Sequence, residues 1–341
     1  MSKDQINSLD EDSIESFLEQ EDLKYGMNSN SKIDPAPEKE RAQSLGTAVS
    51  ARLNESSVSG ANDNFWKNIP LENLPSGGLF YAEGTELTVR AATVSEIRHW
   101  STIDEDDILD IDDKLNFIIE KCTRLKIKGG QSWLTWRDIL EVDRLYIIFL
   151  IHEITFPNGQ NDLFVKLQCN ETCSEEGKFN DEVKVRSSML QVFDFPEELR
   201  QWYSPQYRCF EVVSTKLNET FYLYMPTIGV IERIRKRISE IKAQGKQVDK
   251  AFIRIAPYLI QDWTKFNAQD YANLQNETFG WHINKFTFVT KFVEQVQAAR
   301  DNSINTVCPK CGAKLTSTLF SSDSFTVKDL FLISGRLDEL I

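Results

Sequence analysis

Cys308-Pro309-Lys310-Cys311-Gly312, close to the end of the 341-residue chain, constrains the fold more than any other stretch. A Cys-x-x-Cys followed by glycine is a knuckle. The glycine admits the backbone conformation that aims two thiolates at one point, as a tetrahedral zinc site requires. Two thiolates are half of such a site. The other candidates lie upstream in Cys169-Asn170-Glu171-Thr172-Cys173, a looser Cys-x₃-Cys. If Cys169, Cys173, Cys308 and Cys311 close on one metal, about 135 residues form a loop pinned at its base. The entropy of joining ends so distant grows only logarithmically with loop length, so the span is no obstacle. The pattern predicts a structural Cys₄ zinc site, closed to substrate, because catalytic zinc keeps an open position. The alternative is that one or both pairs are free thiols, or that zinc was lost from a once-complete site.

Composition sets the limits. A net charge of -13 argues against a general nucleic-acid-binding surface, which needs a basic face to displace counterions. Six cysteines, four of them in close pairs, suit metal binding in a reducing compartment better than a disulfide framework. The longest apolar stretch, Leu145 to Ile151, is far short of the roughly 18 residues that read as a membrane span. Met1-Ser2-Lys3-Asp4-Gln5 lacks the apolar core of a secretory signal, so the chain reads as cytosolic, with no membrane partner.

Four segments are expected: an acidic, disordered tail over 1–62, a helical domain with an N-terminal turn and strand over 63–168, a mixed strand and helix segment over 169–311, and a C-terminal strand and helix over 312–341. The tail is too polar to offset the entropy of ordering it. Within it, Ile14, Phe17 and Leu18 mark one face of a short acidic helix between Asp10 and Leu23. Such a face either docks on a partner or belongs to a transient helix in a solvated tail.

Folded sequence begins near Phe65-Trp66. In Leu74-Pro75-Ser76-Gly77-Gly78-Leu79-Phe80-Tyr81, Pro75 fixes one φ and Gly77 or Gly78 is expected at positive φ. Glu86–Ala92 reads as a strand and Thr93-Val94-Ser95-Glu96 as a capping box that starts a helix. Asp104–Asp113 lacks the glycine and ligand order of an EF-hand loop and reads as helix capping and solvation. Lys114–Leu125 is helical, with Cys122 in its apolar stripe. Helices are also expected over Trp133–Leu140 and Asp143–Ile154, with Glu141, Asp143 and Arg144 in ordinary surface pairing and His152 a satisfied helix-terminal histidine.

Further on, Asp162–Gln168, Glu182–Val192, Cys209–Thr215 and Thr220–Met225 read as strands, with Cys209 in buried packing. Helices follow over Ile228–Ala243, Val248–Trp263, Ala268–Asn276 and Trp281–Ala299, then a strand over Lys314–Thr318. The class is therefore α+β: mostly helical, with short antiparallel strands and a zinc-ribbon-like Cys₄ element. No P-loop, His-Glu-x-x-His, Gly-x-Ser-x-Gly or dinucleotide fingerprint is present, and the three histidines are isolated in sequence. The reading is a protein that is not an enzyme. A zinc-ribbon nucleic-acid-binding protein is the alternative, using Arg233–Arg237, Lys310 and Lys314.

The run Leu74–Tyr81, Gly84, the strand Leu87-Thr88-Val89-Arg90 and the helix start Thr93–Glu96 resemble the base-plate hub subunit and hub assembly proteins of T-even-like contractile-tailed bacteriophages. The resemblance continues through an aspartate-rich turn near Asp138–Asp143, an apolar helix and a strand ending in a cysteine knuckle. It resumes at Cys308–Gly312 with Phe320 and Phe325, and so covers about residues 69–173 and 303–341. It implies a structural or assembly role with other tail or base-plate proteins as partners. The expected location is the virion tail base plate, or the host cytoplasm during assembly.

Overall fold

The computed structural model describes residues 66–129, 134–157, 161–169, 180–193, 195–320 and 325–331. The expected tail and Cys173 lie outside them. The described residues form an α+β fold. Strand β1 (Lys67–Ile69) leads through the Leu74–Tyr81 turn to β2 (Thr85–Val89), helix α1 (Val94–Trp100), α2 (Ile108–Cys122) and β3 (Thr123–Ile127). These strands make an antiparallel sheet in the order β1-β2-β3, with Leu87 opposite both Ile69 and Leu125. Helix α1 starts on the capping box read from sequence. Thr93 Oγ1 accepts from the Glu96 N–H at 3.4 Å, and the Glu96 carboxylate accepts from the Thr93 N–H at 2.7 Å.

Glu96 does a second job, accepting from Arg90 Nη1 and Nη2 at 2.9 and 2.6 Å. Burial pushes this carboxyl upward, but the Arg90 and Thr93 donors outweigh burial and hold it at about 2. Asp107 caps α2 by accepting from the Leu109 N–H at 2.9 Å. The helix then ends three residues earlier than the apolar spacing predicts. The β-branched Thr123 opens a strand, and its hydroxyl closes the helix by donating to Ile119 O at 2.7 Å.

The helix expected over Trp133–Leu140 is a single 3₁₀ turn, Trp136–Asp138, held by reciprocal bonds between Thr135 and Asp138. It leads into α3 (Glu141–Thr155), whose Ile147, Ile148, Leu150 and Ile151 are fully buried. Strands β4 (Phe164–Gln168) and β5 (Asn180–Lys184) form an antiparallel hairpin. The strand expected over Glu182–Val192 is two strands: a 3₁₀ turn at Ser187–Met189 separates β5 from β6 (Leu190–Phe193). Glu153 fixes that turn by accepting from the Ser187 N–H and hydroxyl at 2.6 and 2.9 Å.

After the short helix α4 (Glu197–Arg200) come β7 (Tyr203–Ser204), β8 (Cys209–Ser214) and β9 (Glu219–Leu223), a sheet in that order. Helices α5 (Ile228–Ala243), α6 (Lys250–Leu259), α7 (Ala268–Phe279) and α8 (Ile283–Ala298) follow. Strands β10 (Arg300–Val307) and β11 (Lys314–Thr318) complete a sheet in the order β11-β10-β6. The main core draws on residues from Ile69 to Phe331, and a smaller one joins α5, α6 and α7 through Val230, Ile234, Phe252 and Tyr271. Among the described residues, no helix is long and apolar enough to cross a membrane.

One sequence expectation fails in an instructive way. Glu141, Asp143 and Arg144 are not surface residues. Arg144 is 9% exposed and donates to Asp112 at 2.6 Å and to Asn116 at 3.0 Å, linking α3 to α2. Arg235 of α5 also pairs with Asp112, and Arg300 of β10 pairs with Glu141. Buried charge persists only where partners surround it, and here those partners come from four elements. Asp112, read as part of a solvated acidic run, is one of them.

Candidate metal centre

Two hairpins meet at the ends where their strands are connected. In the first, β4 and β5 pair from Phe164↔Lys184 to Gln168↔Asn180, and Cys169 is the next residue after β4. Val165 and Leu167 point inward, while Phe164, Lys166 and Gln168 face out, so the alternation delivers Cys169 at the core edge, fully buried. In the second, β10 and β11 pair as far as Val307↔Lys314, and Cys308 follows β10 directly. Strand β11 packs beside β4, bringing the hairpin ends together.

The second hairpin turns through the knuckle itself. Gly312 N–H donates to Cys308 O at 2.8 Å, and Cys308 N–H donates to Ala313 O at 2.8 Å. Gly312 has φ +73, with nothing within 4 Å of where a Cβ would sit. Backbone conformation rather than space is therefore what calls for glycine there. The turn sets Cys311 beside the residue that is distant in sequence but adjacent in space: Cys169 Sγ and Cys311 Sγ are 3.5 Å apart.

Cys169, Cys308 and Cys311 place their sulfurs within 4.8 Å of one another, and this group could hold a metal ion. It is the only such group of three or more His, Cys, Asp or Glu among the described residues. Cys169 and Cys308 are buried and Cys311 is exposed. The structure thus unites three of the four cysteines read from the sequence, and the fourth, Cys173, lies outside the described residues.

The remaining titratable candidates sit elsewhere. Burial pushes Cys122 up to about 12 and Cys209 up to about 11, as expected of core thiols. His152 faces the carbonyl of Asn161 at 3.0 Å, and burial holds it down to about 4. His99 packs on the Phe117 ring, and His282 caps α8 by accepting from the Asn284 N–H at 3.2 Å. In the basic helix, Arg235 is engaged by Asp112 and Arg237 by Glu240 at 3.0 Å.

The Pro-Ser-Gly-Gly turn forms a second organised feature. Gly77 and Gly78 have φ +63 and +73. The Tyr81 hydroxyl donates to the Asp143 carboxylate at 2.8 Å and accepts from the Leu140 N–H at 3.1 Å. Ser76, beside Pro75, reaches the same carboxylate. Burial pushes Asp143 up to about 6 even with these donors. The anchor went unread in the sequence because Asp143 belongs to an Asp-Arg pair of the kind that usually lies on a helix surface. Its available signal was the serine among turn glycines. Set against protein-family models, curated proteins and solved structures, the chain matches none.

Proposed function

We propose that this chain is a structural or assembly protein of a contractile phage tail base-plate hub, acting through protein–protein contacts and stapled by zinc. The observation that carries the staple is the meeting of Cys169 with Cys308 and Cys311 at the ends of two hairpins. Tetrahedral zinc with Zn–S bonds of about 2.3 Å separates its sulfurs by about 3.8 Å. The 3.5 Å contact and the 4.8 Å limit bracket that value. Soft thiolates favour zinc over magnesium or calcium, and Cys173 is the proposed fourth ligand. Zinc held this way supplies fold stability, not a reactive position.

The base-plate assignment rests on the resemblance alone. Two of the segments that carry the resemblance, the Leu74–Tyr81 turn and the Asp138–Asp143 stretch that leads into the first turn of α3, bond directly through Ser76, Tyr81 and Asp143. The nucleic-acid alternative finds less support, because Arg235 and Arg237 are committed to carboxylates. Two measurements test the proposal. Elemental analysis of protein purified without chelator should give one zinc per chain. Affinity-tagged chain expressed during phage infection should co-purify base-plate hub subunits. Recovery of nucleic acid instead of hub proteins would overturn the assembly role.

A further inference from the structure

We infer that the cysteine cluster is also a redox switch, in which a hydroperoxide joins Cys311 to Cys169 as a disulfide and releases the metal. The inference rests on reading the cluster as a metal centre and adds a second state to it. Three observations carry it. Cys311 is exposed, whereas Cys169 and Cys308 are 0% and 1% exposed, so an oxidant from solvent meets Cys311 first. The sulfur in contact with Cys311, at 3.5 Å, belongs to Cys169 on the other hairpin. Closing that contact to a disulfide bond of about 2.05 Å needs a movement of about 1.5 Å. Cys311 sits on the knuckle turn, next to Gly312 at φ +73, at the end of a hairpin rather than within a paired strand.

The chemistry balances without any group beyond the peroxide. Cys311 sulfur attacks one peroxide oxygen, the O–O bond breaks, and the departing oxygen leaves as water, giving a sulfenic acid. Cys169 sulfur then attacks Cys311 Sγ. The S–S bond forms, the S–O bond breaks, and the second oxygen leaves as water. Each sulfur loses one electron and each peroxide oxygen gains one. Two thiols and one hydrogen peroxide thus give one disulfide and two waters. When the sulfurs start as metal-bound thiolates, two protons come from solvent and the metal leaves as the free divalent cation.

The product has a structural meaning. The Cys169–Cys311 bond ties together the same two hairpin ends that the metal ties, so oxidation exchanges one cross-link for another. A disulfide within the knuckle, Cys308 to Cys311, would instead leave the two hairpin ends without a covalent or metal cross-link.

The test uses the full chain, purified reduced, with its metal content measured first. It is treated with one to two equivalents of hydrogen peroxide while a colorimetric zinc indicator follows metal release. Free thiols are then alkylated and disulfides mapped by mass spectrometry without reduction. The expected result is loss of the metal in step with a Cys169–Cys311 cross-link, reversed by dithiothreitol with added zinc. Cys308→Ser should still form that cross-link, and Cys169→Ser should lose it. A dominant Cys308–Cys311 or Cys173–Cys311 bond would overturn the switch, as would Cys311 sulfinic acid with the metal retained. A chain that carries no metal before oxidation would end the metal-centre reading and the release step with it. The disulfide map would then decide the pairing by itself.

Discussion

Ser76 donates both its backbone N–H and its hydroxyl to the Asp143 carboxylate, at 2.8 and 2.7 Å, across 67 residues of sequence. Asp143 is fully buried, and Tyr81 supplies a third donor. Asp143→Asn keeps the shape but replaces one acceptor oxygen by an amide donor facing other donors. It should cost about 1–3 kcal/mol at pH 7, the penalty of a buried group left unsatisfied, and Ser76→Ala should cost less. Urea midpoints of the three proteins check this, and equal midpoints would contradict the anchor.

The two turn glycines should not be equivalent. A Cβ at Gly77 meets only Leu79 Cγ at 4.0 Å, so Gly77→Ala should show backbone strain alone, about 1–2 kcal/mol. A Cβ at Gly78 falls 2.9 Å from Leu71 Cβ and 3.1 Å from its backbone carbon, which cannot swing away. Gly78→Ala should therefore lower the melting temperature clearly more than Gly77→Ala. The reverse order would show that the turn is held differently.

Much of this was legible because local chemistry was decisive. The Thr93–Glu96 capping box, the α5 helix from Thr227 onward and the β11 strand fall where cap residues and apolar spacing put them. The two cysteine pairs announced a four-thiol cluster, and three of those thiols, Cys169, Cys308 and Cys311, are gathered among the described residues. What stayed hidden depends on partners far along the chain. Glu153 breaks one apparent strand into two by holding Ser187, and nothing near residue 187 signals that. Strand β10 has the polar sequence Arg-Asp-Asn-Ser-Ile-Asn-Thr-Val, and its pairing with β6 and β11 rather than its own propensity makes it a strand. Asp112, Arg144, Arg235 and Arg300 each look like surface charges until the helices and the strand carrying them pack together.

Removing metal should loosen the region where β4 meets β11. A strong chelator should lower the melting temperature, and binding should weaken on acidification because the thiols must shed their protons to ligate. Cys308→Ser should cost more stability than Cys122→Ser, since Cys122 lies in ordinary core packing. Equal losses for the two variants, with no effect of chelator, would remove the metal from the account.

His152 should shape the acid limb of stability. Burial holds it down to about 4, so the unfolded chain takes up its proton at higher pH than the folded chain does. Stability from this group is complete above about pH 6.5 and is lost as pH falls towards 4. Asp143, raised to about 6, acts in the opposite sense over part of the same range, gaining stability as pH falls from 6 towards 4. His152→Gln can retain a bond to Asn161 O and cannot charge. The urea midpoint of the wild type should therefore drop more between pH 7 and pH 5 than that of the variant. Parallel curves would exclude His152 as a source of acid sensitivity.

Arg144 should be costly to lose. Arg144→Met leaves Asp112 with Arg235 alone and Asn116 without its donor, and should destabilise by about 3 kcal/mol. Because the pair is buried, molar salt should recover little of the loss. A variant as stable as the wild type would mean that packing alone holds α2 to α3.

Trp100 Nε1 donates to the carbonyl of Lys328 at 3.0 Å, and the Phe331 ring packs edge-on against Trp100 with Leu330 and Phe331 fully buried. The two ends of that contact are 228 residues apart. At about 5–20 residues per second, a ribosome needs roughly 10–45 s to travel from one to the other. Throughout that interval Trp100 and the apolar face of α3 await a lining not yet made. The protein therefore completes its core only after nearly all of this sequence has been synthesised. A truncation before Phe325 should yield a chain that aggregates in the cell rather than a smaller folded one.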